Sequence, residues 1–211
     1  MADIAAESAP PRGEVAVLVA VQSALAGRPG ALAVARALSY FGEHSIGWLA
    51  ISAIGAILQP ARRRAWLVAG AGACAAHASA VLIKRVVRRP RPHHPAVAVN
   101  VGTPSSLSFP SAHATSTTAA SILLARATGA PLPVMLVPPM ALSRVLLGVH
   151  YPSDVATGVV VGAVVAAIAA RIGGPLARSA TMRAVKPARG GGTSRLRGRD
   201  GRLTPAGGAS E

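Results

Sequence analysis

A histidine and a carboxylate four residues apart are the first side chains in this sequence that could do covalent chemistry. Asp154 is the one acidic residue between Glu43 and Asp200, and it follows His150 in the segment "GVHYPSDVA". A lone acid beside an apolar helix is costly unless it has a partner. A carboxylate next to an imidazole fixes the tautomer of the ring and raises its basicity. Such a histidine can attack phosphorus, so we predict that His150 is a nucleophile and that Asp154 orients it.

A second histidine, His113, stands at the start of a predicted helix in the segment "FPSAHATST". The N-terminus of a helix presents unpaired backbone N–H groups and a partial positive charge, which together attract an anion. A histidine at this position can protonate the oxygen that departs from phosphorus. We therefore predict that His113 is the general acid.

Cationic side chains complete this set. The segment "KRVVRRPRP" begins at Lys84 and contains Arg91, and the segment "LSRVLLGVH" contributes Ser143 and Arg144. Lysine and arginine can neutralise the oxygens of a phosphoryl group, arginine through two parallel hydrogen bonds. Because these cations supply positive charge, the predicted chemistry requires neither a metal ion nor a cofactor.

Long apolar segments must position these residues. The chain has 211 residues, of which 51% are hydrophobic and only 14% charged. Apolar runs recur between residues 46 and 172, and a helix needs roughly 20 residues to cross a bilayer. We predict an all-α, polytopic helical membrane bundle of five to six transmembrane helices within a domain at 15–173. The firm spans are 46–59, 65–83, 113–129, 132–148 and 154–172.

The two ends of the chain are less regular. The apolar stretches at 15–26 and 31–41 are each too short to span comfortably, so this region is interfacial, re-entrant or one broken span. Residues 1–14 are interpreted as an N-terminal tail. Residues 174–211 are rich in Gly, Arg, Ser and Pro, and this composition predicts a disordered basic tail.

The distribution of charge predicts an orientation in a cell membrane. Three arginines at 62–64 and the basic C-terminal tail fall on one side of five spans, which the positive-inside rule makes cytoplasmic. The loops at 84–112 and 143–153 then face outward, so the cations there are working charges rather than topology signals. The net charge of +15 would otherwise suggest nucleic acid, but aromatic residues make up only 3% of the chain and offer few stacking platforms. We expect no nucleic-acid partner.

Three motifs in fixed order, K-x6-R-P, P-S-x-H and S-R-x5-H-x3-D, resemble the signature of the type 2 phosphatidic acid phosphatase (PAP2) superfamily. They fall on Lys84–Pro92, Pro110–His113 and Ser143–Asp154. The resemblance implies a phosphohistidine on His150, oriented by Asp154, with His113 as general acid. It also implies a phosphate-binding set of Lys84, Arg91, Ser111, Ala112, Ser143 and Arg144. Ala112 departs from the family, which usually has glycine there.

Flanking segments resemble small actinobacterial members of this family, which implies a polyprenyl-phosphate lipid that carries a sugar phosphate as substrate. A polyprenyl pyrophosphate or phosphatidylglycerophosphate phosphatase remains an alternative, because each presents a phosphoryl group to the same residues. A vanadate haloperoxidase would use a similar site but is soluble and larger. A lipid transporter or scaffold without catalysis would not need His113, His150 and Asp154 together. The sequence specifies no oligomeric state.

Other polar residues have open assignments. Glu43 and His44 precede the first firm span and are either contacts of the substrate headgroup or interfacial polar residues. Arg85, Arg88 and Arg89 either bind lipid headgroups or contact substrate. His77 lies among alanines and is interpreted as a packed core histidine, whereas His93 and His94 are interpreted as solvated loop residues.

Overall fold

The computed structural model describes residues 10–184, and over that range the protein consists of helices and connecting loops without a strand. Short 3₁₀ turns lie at Glu43–Ser45 and Pro60–Arg62. The α-helices in chain order are α1 (Gly13–Leu25), α2 (Ala31–Gly42), α3 (Ile46–Leu58), α4 (Arg63–Val87), α5 (Ala112–Thr128), α6 (Leu132–Leu146) and α7 (Pro152–Ala184). The predicted all-α fold is confirmed.

Helix α5 lies at the centre of the bundle, packed against α4, α6 and α7. It is rich in Ala, Ser and Thr, and small residues let neighbouring backbones approach closely. Helix α7 contacts it through Gly158 and Gly162, where an added Cβ would meet the backbone oxygens of Ser111 and Thr115. The Ser111 N–H also donates to the Asp154 carbonyl at 2.9 Å. These contacts hold the first turns of α5 and α7, and therefore two of the three motifs, side by side.

The outside of the bundle is apolar. Three stretches are long and apolar enough to cross a membrane by length and composition, namely Ala31–Leu58, Pro60–Val87 and Pro152–Gly173. Helices α5 and α6 are shorter, and most of α5 is enclosed by other helices, so it needs little lipid-facing surface. Large exposed apolar side chains on the surrounding helices include Ile54, Ile57, Leu58, Leu67, Leu82, Val134, Met135, Val160, Val164 and Ile168. Apolar surface of this extent suits contact with lipid.

The apolar stretch Ala31–Leu58 is divided by a turn. Helices α2 and α3 are separated by the turn at Glu43–Ser45, where His44 and Ser45 have positive φ values of 49° and 62°. This backbone region interrupts a right-handed helix, so the chain changes direction there. Helix α2 contacts the loop at residues 100–101 and the end of α6 along its length: Arg36 Nε donates to Asn100 O at 2.9 Å, and Ala31 and Ala35 pack against Leu146 and Leu147. Of the alternatives that the sequence left open for residues 15–41, these contacts favour an interfacial segment over one broken span.

Helix α1 lies across one end of the bundle. Near its start, Glu14 accepts a hydrogen bond from Arg89 at 2.6 Å and another from the Ser153 N–H at 2.8 Å. Near its end, Gln22 donates to the carbonyl oxygens of Ala98 and Leu146. Both halves of α1 therefore contact loops at the same end, as expected for an interfacial helix rather than a spanning one.

The ends of the membrane domain differ from the prediction in detail. Helix α1 begins at Gly13, close to the predicted boundary at residue 15, and α7 continues to Ala184. The helix thus extends beyond the predicted domain boundary at residue 173, and the predicted disorder of the C-terminal tail stays a prediction. The remainder of the predicted tails, 1–9 and 185–211, lies outside the described residues.

Candidate active site

A cavity of about 450 Å³ lies at the end of the bundle where α4 ends and α5 begins. It brings together residues from all three sequence motifs and from the turn between α2 and α3. The predicted site residues on its wall are Glu43, His44, Lys84, Arg91, Ala112, His113, Arg144 and His150. Three further predicted residues, Ser111, Ser143 and Asp154, are buried behind this wall and not on it.

The ring of His150 is placed between a cation and a carboxylate. Its Nε2 lies 3.3 Å from Arg91 Nη1, and its Nδ1 lies 3.6 Å from Asp154 Oδ2. A guanidinium can only donate, so Nε2 is the acceptor and the ring proton is on Nδ1, facing Asp154. Burial lowers the pKa of His150 below its usual value, which keeps the ring neutral at pH 7. The lone pair of the neutral imidazole is therefore at Nε2, where Arg91 donates to it beside the cavity.

Asp154 is held by donors other than His150. The Tyr151 N–H donates to Oδ2 at 2.8 Å, and Arg89 Nη1 donates to Oδ1 at 2.9 Å. Arg89 also bonds Ser153 Oγ and stacks over the ring of Tyr151, with Cζ 4.0 Å from the ring centroid. The Asp154 side chain is fully buried. Arg89 thus fixes the orientation of the carboxylate and links it to Glu14 on α1.

His113 occupies the first turn of α5, facing the cavity. Its Nε2 is 2.9 Å from the carbonyl oxygen of Ser39 on α2. A carbonyl only accepts, so Nε2 carries a proton in this arrangement. Gly42 packs on the same ring, because a Cβ there would lie 2.7 Å from His113 Cδ2. Helix α2 therefore sets both the tautomer and the position of this histidine.

Lys84 and Arg91 lie on the cavity wall with their charges directed by backbone carbonyls. Lys84 Nζ donates to Ser108 O at 2.7 Å and to Leu107 O at 3.1 Å. Arg91 donates from Nε to Ser105 O and from Nη1 to Val149 O. Burial lowers the pKa of Arg91 to about 10, so the guanidinium remains charged at pH 7. Between residues 10 and 184 no carboxylate is bonded to either cation, which leaves both available to an anion.

Arg144 is almost fully buried at the back of the cavity, 2% exposed. Its Nη1 donates to Ser39 Oγ at 3.0 Å, and its Nε donates to Ser143 Oγ at 3.1 Å. The Ser143 hydroxyl in turn donates to Met140 O. The Ser143 hydroxyl thus orients Arg144, and its predicted contact with phosphate stays a prediction.

Ser111 has a comparable role at the start of α5. Its Oγ accepts a hydrogen bond from the Ala114 N–H at 3.4 Å, which makes it the N-cap of the helix. The side chain is fully buried, so it does not reach the cavity as expected for a phosphate ligand. Ala112 does line the cavity.

The turn between α2 and α3 forms a further wall. Glu43 and His44 line the cavity, and the His44 ring lies 5.8 Å from that of His77, centroid to centroid. The interpretation of His77 as a packed core residue is wrong, since it also lines the cavity. It stands seven residues before Lys84, two turns along the same face of α4, and this spacing could have identified it.

Two further residues of the site, Ser39 and Glu14, were not predicted from sequence, and Arg89 was predicted only as a contact of lipid headgroups or substrate. Ser39 contacts both His113 and Arg144, Glu14 bonds Arg89, and Arg89 bonds Asp154. Of the neighbouring arginines, Arg85 lines the cavity and Arg88 does not. Within residues 10–184 no cluster of three or more His, Cys, Asp or Glu side chains could hold a metal ion.

Comparison with known proteins gives a family match and close relatives. The PAP2 superfamily matches residues 65–177. A protein of Mycobacterium tuberculosis named decaprenylphosphoryl-5-phosphoribose phosphatase is 72% identical over 189 residues, 90% of this chain and 97% of the relative. The protein of the same name from Mycolicibacterium smegmatis is 74% identical over 148 residues, 70% of this chain and 82% of the relative.

Two solved structures share the fold at low sequence identity. Aquifex aeolicus LpxE aligns with a TM-score of 0.60 at 17% identity, covering 78% of this chain and 98% of that one. A transmembrane PAP2-type phosphatidylglycerolphosphate phosphatase from Bacillus subtilis aligns with a TM-score of 0.58 at 19% identity, covering 82% and 88%. At these identities the likeness concerns the arrangement of helices.

Proposed function

The chain belongs to the PAP2 superfamily, and from that premise we propose that it is an integral-membrane phosphatase that removes the 5-phosphate of decaprenylphosphoryl-5-phosphoribose. The product would be decaprenylphosphoryl ribose, a lipid-linked sugar for cell-wall arabinan synthesis. The observation that carries this proposal is 72% identity to a phosphatase of that name over 97% of its length. The cavity supports it, because a histidine pair and three cations converge there at one end of a membrane bundle.

The proposed first step forms a bond between His150 and phosphorus. The Nε2 lone pair attacks the 5-phosphate, and the bond from phosphorus to the sugar oxygen breaks. The leaving oxygen takes the Nδ1 proton of a doubly protonated His113, whose Nε2 proton remains bonded to Ser39 O. The products of this step are the free 5-hydroxyl, a neutral His113 and a phosphohistidine. In the second step water attacks the phosphohistidine, His113 takes a proton from that water, and inorganic phosphate leaves. His150 returns to its starting state, so the cycle needs no other reactant.

The cations would stabilise the charge that builds on the phosphoryl oxygens. Lys84, Arg91 and Arg144 lie on three sides of the cavity, and each is fixed by hydrogen bonds to the protein. Donors that are already positioned cost no reorganisation during the reaction. Ser111 and Ser143 would act through the helix start and through Arg144, and Asp154 would hold the His150 tautomer.

Glu43 favours a sugar phosphate over a pyrophosphate as substrate. Its carboxylate is on the cavity wall beside His44, where it can accept hydrogen bonds from sugar hydroxyls. A second phosphate placed directly beside the first would instead meet this negative charge, which is unfavourable. The lipid tail would leave the cavity toward the apolar outer surface of the helices.

The proposed orientation puts the cavity at the outer face of the cell membrane. The three arginines at 62–64 lie at the opposite end of α4, and they would be cytoplasmic under the positive-inside rule. The C-terminal end of α7 would then be cytoplasmic as well.

Phosphate release by detergent-purified protein tests the proposal. The substrates are decaprenylphosphoryl-5-phosphoribose, decaprenyl pyrophosphate and phosphatidylglycerophosphate, each assayed with His150→Ala and with His93→Ala as a matched control. His93 is an exposed loop histidine away from the cavity. Release chiefly from the first lipid, lost in His150→Ala and kept in His93→Ala, is the expected result. Preference for the pyrophosphate would instead assign the protein a function in carrier-lipid recycling. No release from any lipid would refute the catalytic assignment.

A further inference from the structure

A second cavity, of about 610 Å³, lies at the end of the bundle opposite the candidate active site. It is enclosed by the start of α4, the end of α5 and the part of α7 near Gly173. Helix α4, which runs from this cavity to the candidate active site, has 25 residues. At 1.5 Å per residue its length is roughly the thickness of a bilayer core, and this separates the two cavities. We refer to the second cavity as the arginine cavity, because Arg62, Arg64 and Arg126 line it.

The lining of the arginine cavity changes from cationic to apolar along the bundle axis. Val68 lies one turn beyond Arg64 on α4, and Leu123 lies one turn before Arg126 on α5. Ala170 extends the apolar wall on α7. A cavity with guanidinium groups at its rim and aliphatic side chains further inside matches a molecule with an anionic head and a hydrocarbon chain.

The three arginines have no acidic partner in the described part of the chain. Residues 10–184 contain three carboxylates, Glu14, Glu43 and Asp154, and all of them lie at the active-site end. One of the three arginines is anchored by the protein, since Arg62 Nη1 donates to Ala127 O at 3.0 Å. The positive charge at this rim is therefore left to an external anion.

We propose that the arginine cavity binds an anionic membrane phospholipid, with its phosphate between Arg62, Arg64 and Arg126 and an acyl chain along Val68 and Leu123. Arginine binds phosphate through paired hydrogen bonds, and basic cavities between membrane helices are a known setting for anionic lipid headgroups. The chain's own C-terminal segment is a poor occupant. Residues 185–211 carry six basic and two acidic side chains, the same sign of charge as the rim.

The experiment compares two double variants with the same loss of charge. Arg64→Gln with Arg126→Gln removes two rim cations, whereas Arg63→Gln with Arg28→Gln removes two that do not line the cavity. Each purified protein in neutral detergent is titrated with phosphatidylglycerol, with phosphatidylcholine and with water-soluble glycerol phosphate. Lipid occupancy is read by native mass spectrometry and by the shift in Tm.

The expected result is saturable binding of phosphatidylglycerol to the wild type and to the control variant, weakened roughly 30-fold in the rim variant, since each cation contributes about 1 kcal/mol. Phosphatidylcholine should give no comparable shift. Equal affinity in the two double variants would overturn the proposal, and so would a shift that glycerol phosphate reproduces in full. If the rim double variant does not fold, the single Arg64→Gln and Arg126→Gln variants apply, with about five-fold weakening each.

Discussion

Arg89 offers the sharpest test of how the site is held, because it acts on the proposed nucleophile, His150, only through Asp154. Its Nη1 is 2.9 Å from Asp154 Oδ1, and its Nη2 is 2.6 Å from Glu14 Oε2. The Asp154 side chain is fully buried, whereas that of Arg89 is 29% exposed. Replacing Arg89 with methionine keeps most of the side-chain volume and removes both bonds. One oxygen of a buried carboxylate is then left without its donor.

The size of the effect follows from the buried Asp154 oxygen that loses its hydrogen-bond donor. A hydrogen bond to a charged group contributes about 1.5–3 kcal/mol, and partial access of water to Arg89 reduces this to about 1–2 kcal/mol. If this energy is added to the activation free energy because the His150 ring is misoriented, kcat falls roughly 5- to 30-fold. The KM should change little, because Arg89 does not line the cavity. Arg89→Lys, which retains the charge without the forked geometry, should recover part of kcat.

Steady-state phosphate release is the assay, with Arg88→Met as the matched control. Arg88 is the adjacent cation, exposed and away from the cavity wall, so its loss should leave kcat unchanged. Glu14→Gln should lower kcat less than five-fold, since Glu14 reaches the carboxylate only through Arg89. A kcat for Arg89→Met within two-fold of wild type, or an equal loss in Arg88→Met, would refute the reasoning.

Three further outcomes are expected. Activity should survive EDTA unchanged, because Lys84, Arg91 and Arg144 supply the positive charge; loss of activity that Mg²⁺ restores would contradict this. Burial lowers the pKa of the His150 ring. Below the usual histidine pKa of about 6.5, the unfolded chain therefore binds more protons than the folded chain. The contribution of the neutral ring to the free energy of unfolding is therefore complete above pH 6.5 and declines as the pH falls. Tm measured from pH 7.5 to 5.5 should drop more steeply in wild type than in His150→Asn. Gly162→Val should lower Tm, because its side chain would collide with the Thr115 carbonyl and overpacking costs about 1–3 kcal/mol; an unchanged Tm would show that α7 can move away freely.

Local spacing in the sequence predicted the part of the site that lies on single elements. His150 and Asp154 are four residues apart at the start of α7, and His113 follows the N-cap of α5. The five firm helices were also predictable, because their apolar runs are long. These signals depend on neighbours along the chain, which a sequence displays directly.

The unpredicted parts depend on contacts between distant segments. Ser39 is 74 residues from His113 and 105 from Arg144, and it stands in an ordinary apolar helix that gives no sign of the contact. Ser111 and Ser143 were expected on the wall because motifs show residue types but not which way a side chain points. The same reason explains His77, whose alanine-rich surroundings resemble a core until α2 and α3 are placed beside it.

The crossing of α1 over the active-site end has a consequence for how the protein enters the membrane. Counting α3 to α7 as the passes, the chain crosses five times, so residue 13 and residue 173 lie at opposite ends of the bundle. The segment before α2 must therefore be carried to the same side as the candidate active site during insertion. Between residues 10 and 30 its charged residues are only Arg12, Glu14 and Arg28, which limits the free-energy cost of moving it across the bilayer. The three arginines at 62–64, by contrast, lie at the other end of the bundle, which the proposed orientation makes cytoplasmic.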